Sequence, residues 1–218
     1  MAATGSADVV VNDVFVPEEF TLLTAQLVSS DQHPGAAHEE SVYRYQLLTS
    51  LYAMMAAIAV GCGEAVVDIG RERLETSAPW GLKRIDREAS RIRWLEARQK
   101  VRVAQLVYLD MMGKVIAKGE SQKPWTLEET AQVEIDRCTI AQTIKDAIQT
   151  VADGSGSSAY HLNDPLQRYL RDMQVMANHV GVDYDVTTDR ASRWLLGMGR
   201  NENDPLAPLH KKTAKLCS

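Results

Sequence analysis

At 218 residues, the chain can bury a sizeable core as one large domain, or as a domain with an appended arm. Its composition, 45% hydrophobic and 24% charged with a net charge of −5, is that of a globular protein. It excludes a nucleic-acid surface, because the basic residues are scattered rather than gathered into a patch.

From the N-terminus, "ADVVVNDVFVP" (7–17) is rich in β-branched residues, turns at Asn12-Asp13 and stops at Pro17, so it predicts one or two short strands. The start "MAATGSADVVV" lacks the basic flank and long apolar run of a signal peptide. Residues 18–40, with "SSDQHPG", read as loop. The apolar spacing of Leu47, Leu51, Met54, Met55, Ile58 and Val66 predicts a first long helix over 41–74. Its core "LYAMMAAIAV" (51–60) is too short to span a bilayer and reads as a buried helix. After the break "TSAPWG" (76–81), a second helix is expected over 85–118. "PWTLEE" then carries a capping box, in which Thr126 bonds the helix start and Glu129 returns the bond. That third helix runs to about 152 and ends at "DGSGSS". Asp164-Pro165 starts a fourth, with Asp as the cap and Pro in the first turn, and a last helical piece covers 188–197. The fold class is therefore mainly α, an up-down four-helix bundle with a short N-terminal β segment. The domains are a strand head and loop (1–40), a bundle (41–200) and a tail (201–218).

A strand pair this small cannot bury its own apolar face, so the head reads as a piece of a larger sheet. Cys62, Cys138 and Cys217 lie far apart without C-x-x-C spacing. That excludes a disulfide framework and a zinc site and implies a reducing compartment, the cytoplasm. The histidines show no metal spacing, so no metal is expected.

Two stretches resemble a known family. "TGSADVVVNDVFVPEEF" (4–20) is similar to the exit from the central β-domain of the acyl-CoA dehydrogenase superfamily. "GSGSSAYHLNDPLQRYLRDMQVMANHVGVD" (154–183) resembles the C-terminal signature of its flavin-dependent monooxygenase branch, the oxygenase components of two-component, p-hydroxyphenylacetate hydroxylase-like systems. The resemblance implies reduced FMN or FAD as cofactor, a flavin reductase as partner, and a homo-oligomer, dimer or tetramer. It also implies a helical domain and most of a β-domain ahead of the point where this chain begins, or a second chain supplying them.

Within that superfamily, a dehydrogenase needs a carboxylate base. The matching positions here are Val180 and, on the first helix, Leu51, and neither is acidic. His179 instead resembles the monooxygenase histidine beside the flavin ring, which donates a hydrogen bond to the oxygen-loaded flavin or to a phenolic substrate. As a residue met alone, His179 is equally a hydrogen-bonded histidine at a helix end. Asp172 is a candidate acid–base partner, and together with Arg171 it also reads as an ion pair tying the fourth helix to the bundle. The loop Gly154, Ser155, Gly156, Ser157 and Ser158 can cradle a flavin phosphate, and Gly154 is equally a helix C-cap. Arg168 is either a phosphate contact or solvated. Arg91 stands where the family often has a flavin-holding Gln, within a charge run (83–93) that reads as a solvated helix start.

Three functions follow: a monooxygenase C-terminal domain hydroxylating an aromatic or polyketide-like substrate, a flavin-independent bundle acting as dehydratase or cyclase, and a non-catalytic oligomerisation domain.

Overall fold

The computed structural model describes residues 7–22, 37–121, 123–199 and 201. The tail beyond 201 and most of the 18–40 loop lie outside them, and Cys217 with them. Five α-helices stand among the described residues: α1 (Leu47–Thr76), α2 (Glu88–Ser121), α3 (Leu127–Ser155), α4 (Pro165–Met176) and α5 (Tyr184–Leu195). Three long helices form the body, while α4 and α5 share the fourth side. All the others touch α3.

The central place of α3 explains its sequence. Ile140, Ile144, Ala147, Ile148, Val151 and Ala152 are buried against α1 and α2, and a second face carries Ala131, Glu134, Cys138 and Ala141 toward α5 and the turn before it. A helix buried on two sides needs apolar residues around most of its circumference. α1 meets it with small residues, Ala53, Ala56 and Ala59, all fully buried, which let the backbones approach.

The local end signals hold. Thr126 accepts from the Glu129 N–H at 3.1 Å, and the Glu129 carboxylate accepts from the Thr126 N–H at 2.8 Å. The Lys118 ammonium, followed by the Thr126 backbone, holds the Glu129 carboxyl below the ordinary carboxylate range. Asp164 accepts from Leu166 N–H with Pro165 in the first turn. Thr126→Ala is expected to cost about 1 kcal/mol in a urea melt; no loss would mean the Glu129–Lys118 pair sets the helix start by itself.

Three expectations are corrected. The first helix begins at Leu47, because 41–44 is a separate 3-10 turn after which Tyr45 packs its ring onto Gly119 of α2. Any larger residue at 119 would drive a Cβ into that ring. α1 is 30 residues, long and apolar enough by composition to cross a membrane, unlike the ten-residue run read from sequence. It packs here as a core helix between α2 and α3. Residues 7–17 form no strand: Val9, Val10 and Phe15 are exposed, and among the described residues no neighbouring strand offers hydrogen bonds.

Candidate functional site

α4 ends by unwinding in tight turns. Ala177 and His179 N–H groups bond back to Met173 and Met176, and Val182 N–H bonds to the His179 carbonyl at 2.8 Å. His179 sits exposed on this turn, and its Nδ1 accepts from the Gly181 N–H at 3.0 Å. The Gly181 carbonyl in turn accepts from Arg137 Nε at 2.6 Å. A Cβ at Gly181 would strike the Tyr52 ring, which approaches His179 edge-on at 6.2 Å and lies under the Arg137 guanidinium at 5.3 Å. Next to it, Val182 is fully buried against Cys138 and Ala141. The turn is thus pinned by α3 on one side and α1 on another.

Arg137 is 1% exposed. It stays charged because Glu134 lies between it and Arg190, with contacts of 3.6 Å to Arg137 Nη2 and 2.8 Å to Arg190 Nε. Burial pulls the guanidinium below its ordinary range while Glu134 pushes it back up. Sequence reasoning missed this triad. Only the i,i+3 spacing of Glu134 and Arg137 hinted at it, and that spacing is more common on solvated faces.

The glycine–serine loop lies at the other end of α4, whose 12 residues rise about 18 Å. Gly154 and Ser155 still belong to α3, and Gly156 caps it at φ +78°. Arg84 donates to the Gly154 carbonyl at 2.6 Å and the Ser155 carbonyl at 2.9 Å, and its Nε bonds Ser77 at 3.1 Å. A Cβ at Gly156 would meet that guanidinium at 2.8 Å. Arg93 lies against Gly154, and Arg73 pairs with Asp164 just beyond the loop. Ser157 and Ser158 are exposed.

The structure therefore divides the sequence-read residues. Arg91, read at the place of a flavin-holding Gln, bonds the Ile85 carbonyl at 2.8 Å and closes the start of its own helix, while Arg84 is the arginine that reaches the loop. Arg168 and Asp172 are exposed on α4 and both act on the Cys62 thiol of α1, which burial and Asp172 push up and Arg168 opposes. Among the described residues neither Arg171 nor Asp172 forms an ion pair; the pair that ties α4 to α1 is Arg73–Asp164. Leu51 adjoins Tyr52, so both positions examined for a dehydrogenase base lie at the His179 end, and both are apolar and half-exposed.

The family model "Acyl-CoA dehydrogenase, C-terminal domain" matches residues 53–184, which hold α1 through the His179 turn. The chain belongs to this family. A pigment production hydroxylase of Rhodococcus sp. (strain ATCC 21145) is 25% identical over 94% of this chain and 53% of its own length. The oxygenase component of an FADH2-dependent resorcinol hydroxylase of Rhizobium sp. (strain MTP-10005) is 24% identical over 91% of this chain and 51% of its own. The chain thus spans about half the length of the curated relatives it matches. XiaF from Streptomyces sp., solved with FADH2 and glycerol, superposes with a TM-score of 0.78 at 18% identity, covering 87% of this chain and 48% of its own, and shows the shared fold. In this acyl-CoA dehydrogenase C-terminal domain residue 180 is a valine and residue 51 a leucine, so neither can act as a carboxylate base.

Proposed function

We propose that this chain is the C-terminal helical domain of a flavin-dependent monooxygenase, hydroxylating an aromatic or polyketide-like substrate with reduced FMN or FAD and oxygen. The observation that carries the reading is the His179 turn. A histidine is held by its Nδ1 on a buried scaffold and left open at the other nitrogen. Both relatives named above are hydroxylases, and one is FADH2-dependent.

The donor set at the loop fits a flavin phosphate. A helix C-terminus carries negative partial charge and repels anions. Here the Arg84 guanidinium covers the last carbonyls and lies against the Cβ-free Gly156. Gly154 and Ser155 are spent within α3, the Ser155 hydroxyl donating to the Val151 carbonyl at 2.7 Å, so Gly156, Ser157 and Ser158 with Arg84 would hold the phosphate, and Arg168 stands exposed on α4 beyond the loop. Reduced flavin, when bound, supplies the electrons for placing one oxygen atom of O2 on the ring while the other leaves as water. His179 donates from its outer nitrogen to the oxygen or phenol in front of it. Asp172, one helix turn and more before the His179 turn, adds negative charge on that side.

The same reading assigns residues 1–40 to the end of a β-domain, 41–200 to the bundle and 201–218 to a tail, in a cytoplasmic protein served by a separate flavin reductase. Exposed apolar residues along α1 (Leu51, Met54, Ile58) and α2 (Leu95, Leu106, Leu109) support assembly into a homo-oligomer. Anaerobic titration with reduced FMN and FAD is expected to give saturable binding; no binding of either sinks the flavin reading of this chain by itself and leaves the assembly role.

A further inference from the structure

Resting on the reading of His179 as the donor, but testable without flavin, a positioning residue emerges from the buried triad. Gly181 is held at both ends of its residue. Its N–H points at His179 Nδ1 at 3.0 Å, and its carbonyl is held by Arg137 Nε at 2.6 Å. Its α-carbon has no room for a side chain against Tyr52. A nitrogen that accepts a hydrogen bond carries no proton, so a neutral His179 ring must place its proton on the other nitrogen.

We propose that Arg137 is the positioning residue that sets the tautomer of His179: by fixing the Gly181 carbonyl it aims the Gly181 N–H at Nδ1, keeps the neutral ring in its Nε2–H form and presents that N–H outward as a donor. Glu134 and Arg190 hold Arg137 in place from behind, through contacts of 3.6 Å and 2.8 Å on the two Glu134 oxygens. Tyr52 covers the remaining face of the guanidinium. The charged side chains therefore act on the turn, not on substrate. Among the described residues Nε2 makes no hydrogen bond, so the Gly181 N–H is the contact there that selects the tautomer.

The test is a nitrogen NMR spectrum of the histidine-labelled protein, read at the alkaline end of a pH series where its ring signals no longer move. The His179 signals are assigned by their loss in His179→Gln. The wild-type protein is expected to show the Nε2–H tautomer alone, with coupling across the hydrogen bond from Gly181 nitrogen to Nδ1. In Arg137→Met, which keeps most of the side-chain volume, the Nδ1–H tautomer is expected to rise from a trace to about half of the population. Arg137→Lys keeps a charge beside Glu134, so it folds even where the methionine variant does not. It shows the same second tautomer at a lower share, because an ammonium matches the Gly181 carbonyl less well than a guanidinium. A wild-type ring protonated on Nδ1, or a folded variant with the tautomer unchanged, overturns the proposal. Either result is read whether or not flavin binds.

Discussion

Glu134→Ala is expected to lower the unfolding free energy by about 3–5 kcal/mol, because it removes the carboxylate that two buried guanidiniums share. The side chains of Arg137 and Arg190 are 2% and 3% exposed, so water cannot replace the lost carboxylate. Arg190 also lies against the Trp194 ring of α5, at 5.8 Å, and Arg137 holds the Gly181 carbonyl. The damage should therefore spread to α5 and to the His179 turn, while α1 and α2 keep their own packing. Urea melts with an unchanged m-value measure the loss. A change below about 1 kcal/mol would mean that the two arginines relax to solvent, and that the triad does not hold the turn. Glu134→Gln keeps an oxygen acceptor for Arg190 and should fall between the two.

His179→Ala should lower hydroxylated product by about 10²–10⁴-fold in the assembled oxygenase supplied with reduced flavin, the usual scale for losing one positioned proton donor. His179→Gln is the sharper control. Its amide N–H reaches about where the Nε2–H stands, so a pure donor role predicts partial recovery of product over alanine. The side chain is exposed and packs only its edge against Tyr52. Neither change should cost stability on the scale of Glu134→Ala. Product formation by the alanine variant at the wild-type rate would remove His179 from the chemistry and leave the turn a structural feature.

These two experiments bear on residues of very different legibility. His179 was readable, because "ANHVGVD" follows a well-marked helix and resembles a family signature. Glu134, Arg137 and Arg190 were not. In a one-dimensional reading they are polar interruptions in α3 and α5, and nothing local says that they meet. Arg84 makes the same point at the loop. It looked like one more charge in 83–93, yet its guanidinium closes the end of α3 across 70 residues of sequence. Arg91, read as a flavin contact, is spent on Ile85 within its own helix start.

The helix ends illustrate why some features are local. The Thr126–Glu129 box and the Asp164 cap are made by atoms within three residues of each other, so residue types in a row suffice to state them. The start of α1 was misplaced because its limit is set by Tyr45 against Gly119, a contact between the segment before α1 and a distant helix. The strand expected at 7–17 failed for the complementary reason: β propensity becomes a strand only where another strand supplies the hydrogen bonds.

By itself, then, the sequence determined that this chain is a bundle of long amphipathic helices, where the third and fourth begin, and that a histidine at 179 follows the fourth with a valine, not a carboxylate, beside it at 180. These follow from periodicity, capping and residue identity, all short-range properties. Only the tertiary structure decided that the candidate site is split between the two ends of α4. It alone placed Arg84 over the carbonyls of one end, and a buried Arg190–Glu134–Arg137 chain behind the other. Buried charges can be paired only by groups brought from distant segments, and that pairing exists once α3, α5 and the turn between α4 and α5 have packed together.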